Sequence, residues 1–278
     1  MKYLLIPTDF SANSWNALEY AVRFFKNESC TFYILHVGDL NESAVIGNSF
    51  ALPREKTSPS INEKLNTVFE SIKKGPVNKD HHFIALQEYG NFIDIMRKTV
   101  KDKHIDLIVM GTKGASGLKA SVVGSNTGDV ITKVLCNVLV IPENAPSIIP
   151  NKISFPTDYN LFYTHSILEG LNEILHISKA DLHVLNVAQE EREPTAAQKR
   201  NKTYLQDYLS ETFPESHSFH NISHRHIRTG ILHFAAENKI DMLAMVAKNL
   251  NFLQQLLFDT TIEKVSFHTQ IPLWVLHE

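Results

Sequence analysis

Cysteine is scarce in this chain: Cys30 and Cys136 are the only two in 278 residues, and they form no Cys-x-x-Cys pair. A disulfide framework and a cysteine zinc site are therefore disfavoured, and a reducing compartment is expected. Charge of either sign is also limited, with a net charge of -3 and 21% charged residues. Such a balance lacks the basic excess of a nucleic-acid surface and the acidity of a disordered tail. Long apolar runs are missing as well. The opening Lys2-Tyr-Leu-Leu-Ile6 meets Pro7-Thr8-Asp9, too soon for a signal-peptide core, and no other run reaches membrane-spanning length. A cytoplasmic protein with neither nucleic-acid nor membrane partners is expected.

Several catalytic patterns are absent too. There is no G-x-x-x-x-G-K-[ST], no H-E-x-x-H and no G-x-S-x-G elbow. No cysteine has a motif-level histidine partner, and no carboxylate pair has a spacing that identifies acid and base. What is present is a glycine pattern behind a buried strand: Asp106-Leu-Ile-Val-Met110, then Gly111 and Gly114, nine further residues, and Gly124-Ser125-Asn126. Glycine allows positive φ and lets main-chain N–H groups approach a ligand, so Gly111 and Gly114 are expected to use that freedom. Gly124-Ser125-Asn126 would open a helix, Thr127 to Val134, whose unpaired N-terminal donors and positive dipole end favour phosphate.

An internal repeat sets the organisation. Pro7-Thr8-Asp9 recurs as Pro156-Thr157-Asp158, Tyr33 to Val37 returns as His183 to Val187, and Asp106 to Met110 returns as Asp241 to Met245. The spacing between equivalents shortens between the second and fourth strands, which assigns half one a longer loop over Gly38 to Pro59, rich in Ser, Asn and Pro. Pro142 to Pro150 carries three prolines in nine residues and reads as the linker, giving domains 1–146 and 147–278.

Within half one, strands at Tyr3 to Pro7, Thr31 to Val37, His82 to Gln87, Leu107 to Met110 and Val138 to Ile141 alternate with helices near Ser14 to Phe25, Ile61 to Lys74 and Phe92 to Asp102. Alternation of this kind implies an α/β fold: two tandem Rossmann-like domains, each a five-stranded parallel doubly wound sheet with order 3-2-1-4-5. Ligands in such sheets bind at the carboxyl ends where strand order reverses, here between strands one and four, at Asp9 and Gly111. The last strands, Val138 to Ile141 and Leu273 to Leu276, are apolar edges expected to pair within the chain and stack the halves as a pseudo-dimer. Association of two chains into a homodimer stays open.

These residues together resemble the universal stress protein family: the strand ending Pro7-Thr8-Asp9, the strand Asp106 to Met110, the G-x2-G-x9-G-[ST] spacing and the closing Val138-Leu-Val-Ile-Pro142. The resemblance covers nearly the whole chain as two tandem copies and implies the adenine nucleotide alpha hydrolase-like form of the Rossmann fold. Members with an intact glycine motif bind ATP, so it implies an ATP-binding stress-response module, with ADP or AMP as alternatives and Mg as a candidate counter-ion. Carried onto this chain, Asp9 would accept from ribose hydroxyls or help hold a phosphate-bound metal, and Pro7 and Thr8 would shape the adenine wall. Val37 would offer main-chain groups to the base, and Met110 would pack on the nucleoside. Gly111 and Gly114 would admit ribose and phosphates, while Gly124, Ser125 and Asn126 would donate to phosphate oxygens, with Thr127 a weaker candidate.

Other readings stand beside this one. Asp9 also suits a helix cap, as do Ser11 and Asn13, and Lys113 and Lys119 read as solvated. In half two Val246, Asn249, Asp259 and Thr260 stand where Gly111, Gly114, Gly124 and Ser125 stand in half one, so half two is expected to be a nonbinding partner. His217, His220, His224 and His226 crowd one stretch, and a metal site is weighed there against solvated or packed histidines, the latter being favoured. A nucleotide-free interaction scaffold and a weak ATPase remain the alternative functions. No catalytic residue and no metal ligand is assigned, because the motif supplies donors for charge but no evident base.

Overall fold

The structure is a computed structural model; it describes residues 1–38, 59–75, 77–112, 125–189, 193–248 and 270–278. Half one runs β1 (Lys2–Pro7), α1 (Ala12–Phe24), β2 (Cys30–Gly38), α2 (Pro59–Lys73), β3 (His81–Tyr89), α3 (Phe92–Lys103), β4 (Leu107–Gly111), α4 (Ser125–Lys133) and β5 (Asn137–Ile141). Half two runs β6 (Lys152–Pro156), α5 (His165–Ser178), β7 (Asp181–Ala188), α6 (Ala196–Thr212), β8 (His217–Ser223), α7 (Ile227–Asn238), β9 (Met242–Val246) and β10 (Leu273–Leu276). The expected long loop and Lys113 to Gly124, with Gly114, Lys119 and Gly124 among them, lie outside the described residues. Residues 142–150 carry neither helix nor strand.

Both halves meet in one ten-stranded sheet, ordered β3-β2-β1-β4-β5-β10-β9-β6-β7-β8. Each half contributes its own five parallel strands in the order third, second, first, fourth, fifth. The junction differs from the stacking expected from the sequence. Strand β5 pairs antiparallel with β10, Leu139 facing Trp274, so the halves continue one sheet edge to edge. The cause is the apolar character of both strands, whose ladder groups are satisfied only by pairing with each other.

Alternation along the strands divides the core into two layers. Leu4, Ile6, Phe32, Ile34 and Val109 face α1 and α2, whereas Leu5, Leu35, Ile108 and Met110 face α3 and α4. The first layer runs across both halves. Trp274, fully buried on β10, lies 5.8 Å from Phe24 and 6.5 Å from Phe25 at the end of α1. Lys2 adds a 2.9 Å ion pair to Glu173 on α5, whose carboxyl is nonetheless held above its ordinary value, chiefly by burial.

Equivalent capping devices recur in both halves. Asp106 accepts from the Tyr3 N–H at 2.8 Å, and Asp241 accepts from the Lys152 N–H at 3.0 Å, each carboxylate tying the start of a fourth strand to the start of a first. Helices α3 and α7 both close on a left-handed residue, His104 and Lys239.

Candidate functional site

At the carboxyl end of β1 the chain turns sharply. Thr8 keeps the ladder through its N–H to the Leu35 carbonyl at 2.8 Å, and its hydroxyl accepts from the Phe10 N–H at 3.0 Å. Phe10 takes a positive φ of 63°, a costly conformation for a side chain of this size, held by that hydrogen bond. Asp9 accepts from the Ser11 N–H at 3.0 Å, and Ser11 in turn caps α1 by accepting from the Ser14 N–H at 3.2 Å. Ser11, not Asp9 or Asn13, is therefore the helix cap. Asp9 remains exposed at the rim of the crevice.

Strand β4 ends beside this turn. Its pairing with β1 sets Leu5 opposite Ile108, and the buried Asn13 of α1 presses its side-chain amide onto Gly111. A Cβ at Gly111 would come within 2.7 Å of that amide. Gly111 does not take the positive φ open to it; Gly90 is the one glycine with positive φ among the described residues. Gly111 is extended at a strand end, and what it supplies is room for Asn13.

Helix α4 begins at Ser125, earlier than the Thr127 start read from the sequence. Ser125 and Asn126 are exposed in its first turn, while Thr127 is buried and donates its hydroxyl to the Gly111 carbonyl at 2.8 Å. Thr127 is thus a latch between α4 and β4, with its hydroxyl already engaged, and not a phosphate donor through that group. Pro7 ends β1, and Val37 and Met110 are the penultimate residues of the neighbouring β2 and β4, on the side that α3 and α4 cover. Pro7 and Met110 are buried and Val37 half-buried.

Of the ten residues singled out from sequence, eight are described, and β1, β2, β4 and the start of α4 bring them to one end of the sheet. Gly114 and Gly124 lie outside the described residues. Sequence reasoning missed Asn13 as the reason for Gly111 and missed His36, whose Nδ1 lies 2.9 Å from the Thr8 carbonyl with its ring 4.6 Å from Phe10. Only the pairing of β2 with β1 reveals that contact.

The histidine cluster resolves differently from its sequence spacing. His217 binds the Phe213 carbonyl at 2.7 Å, and His224 binds the Arg225-flanking residue His226 through its carbonyl at 2.8 Å. His220 instead meets His183 across β7 and β8, with Nε2 and Nδ1 3.1 Å apart and Ser218 Oγ 2.8 Å from Nε2. Burial depresses both imidazoles, and the neighbouring His220 further disfavours charge on His183. His183 Nε2 is buried without a partner among the described residues. A metal on Nδ1 would force the proton onto that nitrogen with no acceptor to orient it, the reverse of a supported imidazole ligand. Among the described residues no group of three or more His, Cys, Asp or Glu is placed to hold a metal ion. Cys30 and Cys136 are buried and free, their thiols pushed up to about 12 mainly by burial, so neither is a nucleophile at neutral pH. No helix among the described residues is long and apolar enough to cross a membrane.

Comparison with known proteins places these features in context. The model of the universal stress protein family matches residues 1–142 and again 152–277. A universal stress protein of Methanocaldococcus jannaschii is 29% identical over 146 residues, covering 51% of this chain and 82% of that protein. Universal stress protein YxiE of Bacillus subtilis is 28% identical over 145 residues, covering 50% of this chain and 97% of its own length. Among solved structures, a universal stress protein from Archaeoglobus fulgidus matches 99% of this chain and 96% of its own, with a TM-score of 0.66 at 18% identity. That likeness extends the fold across both halves.

Proposed function

This chain belongs to the universal stress protein family, and from that premise we propose that half one binds one adenine nucleotide while half two is its nonbinding partner. The observation that carries the reading is the meeting of Pro7, Val37 and Met110 on one side of adjacent strands, beside Gly111 and the exposed first turn of α4. An apolar wall for a base next to unpaired helix donors for phosphate is the chemistry a nucleotide requires.

In this reading Pro7 and Thr8 shape the adenine wall, Val37 offers its main chain to the base edge, and Met110 packs on the nucleoside. Gly111 and Gly114 admit ribose and phosphates. Gly124, Ser125 and Asn126 donate to phosphate oxygens, and the Asp9 carboxylate serves the ribose or a phosphate-bound Mg ion. ATP is the favoured nucleotide, with ADP and AMP as competitors for the same groups. Half two has Val246 where half one has Gly111, and Asp259 where half one has Gly124, which adds bulk and like charge. The domains divide at 146/147, in the segment without helix or strand.

The protein acts as a cytoplasmic stress-response regulatory module with at most slow ATP hydrolysis, because the glycine motif supplies donors for charge but no evident base. Isothermal titration with ATP and Mg tests this: one site per chain is expected, lost on Gly124→Asp. Two equal sites, or none, would overturn the reading, and rapid phosphate release at saturation would turn it toward an ATPase.

A further inference from the structure

The opposite face of the same turn opens into a second space. Between β1, α1 and α2 lies a cavity of about 580 Å³, walled by Ile6, Leu18, Ile34 and Val68 and edged by the hydroxyls of Ser14 and Ser71. That volume is within the usual range for small-molecule sites. Its apolar floor belongs to the α1 and α2 layer, whereas Val37 and Met110 belong to the other layer. The space is therefore separate from the nucleotide crevice, although the turn Thr8-Asp9-Phe10 borders both.

Half two shows how a copy of this space is filled. Its turn repeats the first: Thr157 N–H to the Leu185 carbonyl at 2.8 Å, Tyr159 N–H to the Thr157 hydroxyl at 3.1 Å, and Tyr159 at a positive φ of 58°. Where the Thr8 hydroxyl meets Ser14 Oγ at 3.1 Å, the Thr157 hydroxyl meets the phenol of Tyr163 at 2.8 Å. The fully buried Tyr163 ring lies 6.1 Å from Phe155, the residue standing where half one has Ile6. Leu205 and Leu209 of α6 belong to the same core layer as Tyr163, both fully buried. Half one has a short serine in place of the ring, and α2 presents Thr67 and Ser71 to the space.

We propose that the half-one cavity is a binding site for a small hydroxylated aromatic molecule, a phenol whose ring rests on Ile6 and Ile34 and whose hydroxyl bonds Thr8, as the Tyr163 side chain bonds Thr157 within half two. Apolar walls favour the ring, and because Ser14 Oγ already donates to the Ser11 carbonyl at 2.9 Å, the phenol hydroxyl donates to the remaining lone pair of Thr8 Oγ1 beside it. The proposal uses the Thr8 hydroxyl, which points to Ser14 on this face, and not the nucleotide face of the same turn.

Saturation-transfer NMR on the full chain with p-cresol, the side chain of tyrosine as a free molecule, provides the test. Saturable binding is expected, about fivefold or more weaker for toluene, which lacks the hydroxyl. Ser71→Leu and, separately, Thr67→Leu should abolish the p-cresol signal while ATP binding and the melting temperature persist; using both keeps the test valid if one fails to fold. Saturating ATP should leave the p-cresol signal in place. Non-saturable binding, equal affinity for toluene, survival of the signal in both variants, or displacement by ATP would each overturn the proposal.

Discussion

Thr8 and Thr157 end equivalent first strands, hold the same backbone turn and support the same strained aromatic, yet the side chains that meet their hydroxyls differ in volume by a whole ring. In half two Tyr163 turns inward, and the polar groups around the turn go to Gln198 and Asn201 of α6, which donate to the Asp158 and Tyr159 carbonyls at 2.8 and 2.9 Å. In half one Ser14 leaves space, while a lysine over the turn aromatic is common to both halves, Lys64 over Phe10 at 5.4 Å and Lys202 over Tyr159 at 5.7 Å. One copy spends its turn on internal packing, and the other leaves a cavity between β1, α1 and α2.

The edge-to-edge junction ties the two halves together, and it is the place where the contrast is easiest to break. Trp274→Ala removes a fully buried indole that joins β10 to Phe24 and Phe25 of half one. A loss of about 3–5 kcal/mol is expected, read in urea as one transition shifted for both halves together. Two separated transitions in the native chain would mean that the halves are independent units.

A smaller effect comes from moving the residue of half two into half one. Gly111→Val places a Cβ within 2.7 Å of the Asn13 amide and displaces α1 from the end of β4. Overpacking of this kind costs about 1–3 kcal/mol, and calorimetry should record ATP affinity lowered by at least about tenfold, the equivalent of 1.4 kcal/mol. Unchanged affinity would show that the crevice does not need this close approach.

The gentlest test is pH. Burial depresses His81, His183, His220 and His277 in the folded chain below their ordinary value near 6.5. The unfolded chain therefore binds more protons, so stability is complete above about pH 6.5 and declines as pH falls from there through the depressed folded values. Chemical denaturation between neutral and mildly acidic pH should follow that decline. Stability independent of pH over this window would mean that these imidazoles protonate without penalty in the folded state.

Much of the fold could be read directly. The β/α alternation, the Pro-Thr-Asp repeat and the apolar last strands specified two copies of one sheet order and the pairing of β5 with β10, because hydrophobic period and unpaired ladder groups are local properties of the chain. The nearness of Asp9, just past β1, to Gly111, the end of β4, was legible too, since the two strands adjoin in the common doubly wound order. Contacts between distant segments were not legible. Asn13 against Gly111, His36 under Thr8 and His183 beside His220 each join residues from different elements, and no spacing rule links them.

By itself the sequence determined the repeat, the element types, the family and which half retains the glycine pattern, all properties fixed by short-range residue order. Only the tertiary structure decided that the halves share one sheet and both core layers, that Gly111 is small for the sake of Asn13, and that Tyr163 fills in half two what Ser14 leaves open in half one. These outcomes depend on which side chains arrive together from separate strands and helices, and close packing settles that only once the whole sheet has formed.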